Sequence, residues 1–120
     1  MTSQANDPVQ IYKREVANVT PLTDDEENAL FEKLRRGDRP DEAKRQLIEG
    51  RLALVFEIAE RYSSSGMPML ELIQEGNIGL LKAVREFASN PSGDFRTYAH
   101  ALIEAAVREG VAKWKQRGSG

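Results

Sequence analysis

Met69-Leu70-Glu71-Leu72-Ile73-Gln74-Glu75-Gly76-Asn77-Ile78-Gly79-Leu80-Leu81-Lys82-Ala83-Val84 combines the apolar rhythm of a helix with polar residues and glycines that a purely structural helix does not need. Leu70, Ile73, Asn77, Leu80, Leu81, Val84 and Phe87 recur at spacings of three and four, the signature of one helix face. Glu71, Gln74, Glu75, Ile78 and Lys82 fall on the other side. Gly76 and Gly79 each cost roughly 1 kcal/mol relative to Ala inside a helix, so their presence predicts close approach by another backbone. An amphipathic helix in a bundle accounts for the period. The glycines and the exposed Gln-Glu pair point further, to a docking surface.

Outward from this stretch, the punctuation divides the chain into about five helices with short joints and no strand, an all-α compact bundle. Asp7 caps a first helix with Pro8 at its opening position and a stripe of Val9, Tyr12 and Val16. Thr23 followed by Glu26 is a capping-box pattern, and that second helix carries Ala29, Leu30, Phe31 and Leu34 before Gly37 ends it. Pro40 starts a third, long helix through Leu47, Leu52, Val55 and Ile58 to Tyr62, ended by Ser63-Ser64-Ser65-Gly66. Pro68 opens the fourth, and Asn90-Pro91-Ser92-Gly93 separates it from the fifth. In the fifth, Phe95, Tyr98, Ala99, Leu102, Ile103, Ala106, Val107, Gly110, Val111 and Trp114 form one long stripe with Asp94 as N-cap. Arg96, Thr97, His100, Ala101, Glu104, Ala105 and Arg108 then face outward. Trp114 either closes the core or stays exposed. The domain is expected over residues 7–116, between a disordered tail at 1–6 and a flexible tail at 117–120.

Composition bounds the chemistry. With 120 residues the chain is one domain able to bury a core without staples. It has no cysteine and one histidine, which excludes a disulfide framework and argues against a zinc site. The polar start and the lack of any long apolar run make a cytoplasmic protein, with no membrane association, the expectation. Net charge is −2, but residues 94–120 hold five basic and three acidic side chains, leaving room for a local phosphate contact there. No cofactor is expected. An enzyme has almost no support, since His100 stands alone and no glycine loop follows a strand.

The run Leu70 to Val84, with the preceding Arg61-Tyr62 and Gly66-Met67-Pro68, resembles region 2 of the primary-type sigma factors of bacterial RNA polymerase. Asp7 to Val16 followed by Pro21-Leu22-Thr23 is similar to the short region, 1.2-like, that opens the folded part of such factors. Glu42 to Glu49, Leu52 to Ala59 and Phe95-Arg96-Thr97-Tyr98-Ala99 follow in the same order, so the resemblance spans about residues 7 to 112. It implies a domain that binds core RNA polymerase, against the clamp coiled coil of the largest subunit, through Glu71, Gln74, Glu75, Asn77 and Leu81. It implies promoter DNA contacts through Lys13, Arg14, Thr97 and Tyr98, and Arg96, His100 and Arg108, facing outward on the same helix, are further candidates for that contact. Phe95 and Tyr98 also begin the buried stripe.

The pattern departs from the family on the outer face of the fifth helix. The two tryptophans that wedge the melted DNA are replaced by Ala101 and Leu102. Glu104 and Glu109 occupy basic positions, and Ala105 replaces a base-reading glutamine. Stacking is worth roughly 1–3 kcal/mol per base, and a carboxylate beside a phosphate repels it, so DNA recognition is expected to be weakened or altered. Two readings follow: a sigma-factor-like domain that takes part in transcription initiation, or a protein-interaction module on the same scaffold that meets polymerase or an anti-sigma-type regulator without reading DNA.

Overall fold

The computed structural model of the chain describes residues 7–118. Six α-helices follow one another: α1 (Pro8–Ala17), α2 (Asp24–Arg36), α3 (Pro40–Glu49), α4 (Leu52–Glu60), α5 (Met69–Ser89) and α6 (Phe95–Gly118). A single 3-10 turn at Ser63–Ser65 links α4 to α5. No strand occurs among the described residues. The expected tails at 1–6 and 119–120 lie outside the described residues, and α6 runs on past Lys115 to Gly118.

Local chemistry sets the helix ends where the punctuation placed them. The N–H of Val9 donates to Asp7 Oδ1 at 3.0 Å, with Pro8 at the first helical position. Thr23 and Glu26 close the capping box: the Glu26 N–H donates to Thr23 Oγ1 at 3.1 Å and the Thr23 N–H to Glu26 Oε1 at 2.9 Å. Gly37 ends α2 in the left-handed region at φ 73°, a conformation glycine adopts at no steric cost. At α6, Asp94 Oδ2 accepts from both the N–H and the hydroxyl of Thr97 at 3.0 Å.

The long helix expected from Pro40 to Tyr62 is divided. Gly50 and Arg51 interrupt it, Arg51 lying at φ −120°, ψ 13°, outside helical geometry. The cause is a tertiary contact. Arg51 turns its guanidinium to Glu27 of α2, donating at 2.9 and 2.7 Å to the two carboxylate oxygens. Glu27 is 4% exposed and is the one buried charged residue among those described. A bidentate pair at this depth satisfies both ions.

The core is built around α5 and α6, which pack as an antiparallel hairpin: Gly76 lies against Ile103 and Val107, and Phe87 against Phe95. Phe31, Phe87 and Phe95 form a triangle with ring centroids 4.8–5.2 Å apart, tying α2 to the hairpin. Leu47, Val55, Ile58, Leu72, Leu80, Ile103 and Val107 are fully buried around it. α1 docks on α4 through Tyr12, whose ring stacks on Phe56 at 6.2 Å.

The apolar face of α5 is rotated from the face that the large side chains marked. Leu72, Ile73, Gly76, Gly79, Leu80, Ala83, Val84 and Phe87 are buried, whereas Leu70 is 42% exposed. Leu72 thus replaces Leu70 on the inner face. The glycines explain the rotation. A Cβ at Gly79 would stand 2.6 Å from the Leu102 carbonyl oxygen and 2.9 Å from the Ile103 Cα, so the backbone of α6 runs directly over it. The stripe on α6, by contrast, is buried as its spacing predicts: Phe95, Ala99, Ile103, Val107 and Val111 face inward, and Trp114, half-buried, packs against the core cluster.

Candidate functional site

With one face of α5 committed to the core, the opposite face is open. Glu71 and Gln74 are exposed, and Glu75, Asn77 and Leu81 are half-buried at its two edges. Ile78 stands on the same surface at 60% exposure, the most exposed large hydrophobic residue among those described, with Leu70 four residues to one side of Gln74 and Ile78 four to the other. An isolated exposed aliphatic is ordinary, but two flanking an amide on one helix face form a small apolar patch with a polar rim. Spacing turned Ile78 to this outer side without marking it as a contact; its exposure adds it to Glu71, Gln74, Glu75, Asn77 and Leu81.

The edges of this face are shaped by what lies beneath. Asn77 Oδ1 is buried and has no hydrogen-bond partner among the described residues, so the amide carries unspent acceptor capacity beside Leu81. Glu75 lies flat along α6: a Cβ at Gly110 would stand 2.6 Å from the Glu75 Cγ. A groove of about 390 Å³ runs between the two helices, lined by Glu75, Ile78, Lys82, Ala105 and Glu109 among others.

The residues expected to meet DNA lie on two helices, α1 and α6. On α1, the Lys13 ammonium lies 5.7 Å from the Phe56 ring centroid and 3.8 Å from Glu60 Oε2, and Arg14 is exposed. On α6, Arg96 and Arg108 are exposed and have no ion-pair partner among the described residues, while Thr97 is held by Asp94. Tyr98 is half-buried, its ring 5.6 Å from Phe87 and its hydroxyl donating to Glu86 Oε1 at 2.9 Å; that bond, more than burial, holds the phenol above its ordinary pKa. Phe95, at 5% exposure, belongs to the core.

His100 and Glu104, expected to point outward, are both half-buried. Glu104 Oε2 accepts from the Tyr62 hydroxyl at 2.7 Å, and Glu104 Oε1 lies 3.8 Å from His100 Nδ1. Arg61 reaches His100 Nε2 at 3.4 Å and Glu57 at 3.6 Å. Burial first, then the Glu104 carboxylate, raise the Tyr62 pKa, so its hydroxyl remains a donor at neutral pH. The outer face of α6 is therefore tied to the end of α4 by a polar cluster that spacing alone did not reveal.

The site is one open, mixed face on the longest hairpin of an all-α helical domain. Residues 47–117 match the family described as Sigma-70 region 2, and the chain belongs to that family. It is 46% identical over 107 residues to the RNA polymerase sigma factor SigA of a Bacillus species, and 48% identical over the same length to the SigA proteins of Listeria monocytogenes serovar 1/2a and Listeria innocua serovar 6a. Each match covers 89% of this chain and 28% of the relative, so the chain spans between a quarter and a third of the length of these curated relatives. No helix of the described residues is long and apolar enough to cross a membrane.

Proposed function

We propose that this domain binds core RNA polymerase through the outer face of α5 and takes part in transcription initiation, in the cytoplasm where polymerase works. Glu71, Gln74, Glu75, Asn77 and Leu81, with Ile78 at their centre, are the contact residues. The observation that carries the reading is the exposed Ile78 among Glu71, Gln74 and Glu75 on the segment matched to the sigma family. A partner coiled coil, as in the clamp of the largest subunit, offers basic and apolar side chains that suit such a face: Ile78 supplies buried area, and the carboxylates steer orientation.

Promoter DNA is the second partner, held weakly through Lys13, Arg14, Arg96, Thr97, Tyr98, His100 and Arg108. Ala101 and Ala105 offer no ring to stack and no edge to read a base, and both are exposed. Those two alanines, with Glu104 and Glu109, favour a second reading in which polymerase or an anti-sigma-type regulator is the partner and DNA is not read.

The test is association of the domain with purified core polymerase, with and without fork-junction promoter DNA, for the wild type and for Gln74→Ala combined with Glu75→Arg. The double variant is expected to weaken association by tenfold or more with its helical circular dichroism intact. Unchanged affinity would remove the docking assignment. Association that strengthens with DNA supports the first reading, and association indifferent to DNA supports the second.

A further inference from the structure

Building on the reading of α6 as the nucleic-acid face, we propose that Glu104 is a built-in competitor for phosphate, an acidic plug that determines how weakly this domain holds a DNA strand. Arg96, His100, Glu104 and Arg108 stand four residues apart and so form one line along α6. Glu104 is the acid in an otherwise cationic or ionisable row. Its carboxylate also takes up the groups around it. One oxygen accepts from Tyr62 at 2.7 Å, the other lies 3.8 Å from the imidazole of His100, and His100 in turn meets Arg61 at 3.4 Å. Arg108, one turn further on, faces the same cluster closely enough to influence Tyr62.

Position separates Glu104 from the other acid on this stretch of α6. The Glu104 side chain is 31% exposed and held from α4's end; that of Glu109 is 70% exposed and pairs with Lys113, on its own helix, at 3.6 Å. A half-buried carboxylate is less screened by salt than an open one, so it opposes an approaching phosphate more strongly. Without that charge, Tyr62 and His100 join Arg96 and Arg108 in a surface of rings and cations, with Arg61, still paired to Glu57 at 3.6 Å, at its edge; rings and cations together bind single strands without sequence preference.

Fluorescence anisotropy of the full chain with a labelled, mixed-sequence single-stranded DNA oligonucleotide, repeated over a salt series, tests the proposal. Glu104→Gln is expected to raise affinity about tenfold and to steepen the dependence of log K on log salt by about 0.7 to 1.4, one or two additional phosphate contacts. Glu109→Gln makes the same change in net charge and is expected to leave the slope unaltered. His100→Ala in the Glu104→Gln background should return part of the gain. Where circular dichroism shows that Glu104→Gln does not fold, Glu104→Met, which keeps the aliphatic stem, takes its place. No gain on removing the Glu104 charge, or an equal gain in the Glu109 variant, overturns the proposal. Core polymerase association of the same proteins is expected to be unchanged. A wild type that fails to bind polymerase sinks the docking assignment and leaves the Glu104 result standing, whereas intact polymerase binding with no DNA gain sinks the plug alone.

Discussion

Glu27 looks, in the sequence, like one of four acids in the first turn of a helix, there to complement its dipole. Three of them do so in solvent; the fourth is buried and bidentate with Arg51. Nothing in the run Asp24-Asp25-Glu26-Glu27 distinguishes it, because the distinction lies in a partner far along the chain. Removing Arg51 strands a buried carboxylate, so Arg51→Ala is expected to lower stability by about 3–5 kcal/mol in urea unfolding, while replacing both members with apolar residues of similar size should cost far less. Asp94, by contrast, was legible, since a cap is a local device. Its bonds from Thr97, the backbone one foremost, hold its carboxyl below the ordinary pKa. A depressed folded pKa gives stability that is present above the unfolded value of about 3.9 and is lost as pH falls through the folded range. Asp94→Ala should therefore cost about 1 kcal/mol near neutrality, and the difference between variant and wild type in thermal melts should shrink as the solution is acidified below that value.

At the scale of the element, periodicity gave α6 almost residue for residue and misplaced one edge of α5. The difference is physical. On α6 the buried stripe is made mainly of side chains large enough to register as apolar, from Phe95 to Val111. On α5 the middle of the inner face is Gly76 and Gly79, which weigh nothing in an apolar count yet mark where Val55 and the backbone of α6 come closest. Counting them as contact positions moves the face from Leu70 to Leu72. The break at Gly50 and Arg51 was illegible for a related reason: the apolar period runs on from α3 into α4, and the bond from Arg51 to Glu27 at the break is a tertiary contact that no local pattern marks. The two faces of α5 make a paired prediction. Leu80, with no exposure, should lose about 2–5 kcal/mol as Leu80→Ala, whereas Ile78→Ala should change stability by less than about 0.5 kcal/mol and weaken polymerase association. Urea titration and a binding assay on the same two proteins separate core from surface.

Across the whole molecule, the helical class and the candidate docking helix could be read in advance because both rest on local pattern. The polar cluster on the outer face of α6 could not, because it depends on the end of α4 delivering Arg61 and Tyr62 to α6. Of the residues that spacing turns outward on α6, Arg96, Thr97, Ala101, Ala105 and Arg108 are exposed, whereas His100 and Glu104 are half-buried and already engaged by Arg61 and Tyr62. The same fold lays one residue of the proposed docking face against the other helix, where Glu75 of α5 rests on Gly110 of the buried stripe of α6. A Cβ at that position would push the Glu75 side chain aside, so the missing side chain on α6 decides how one carboxylate of the neighbouring helix is laid out.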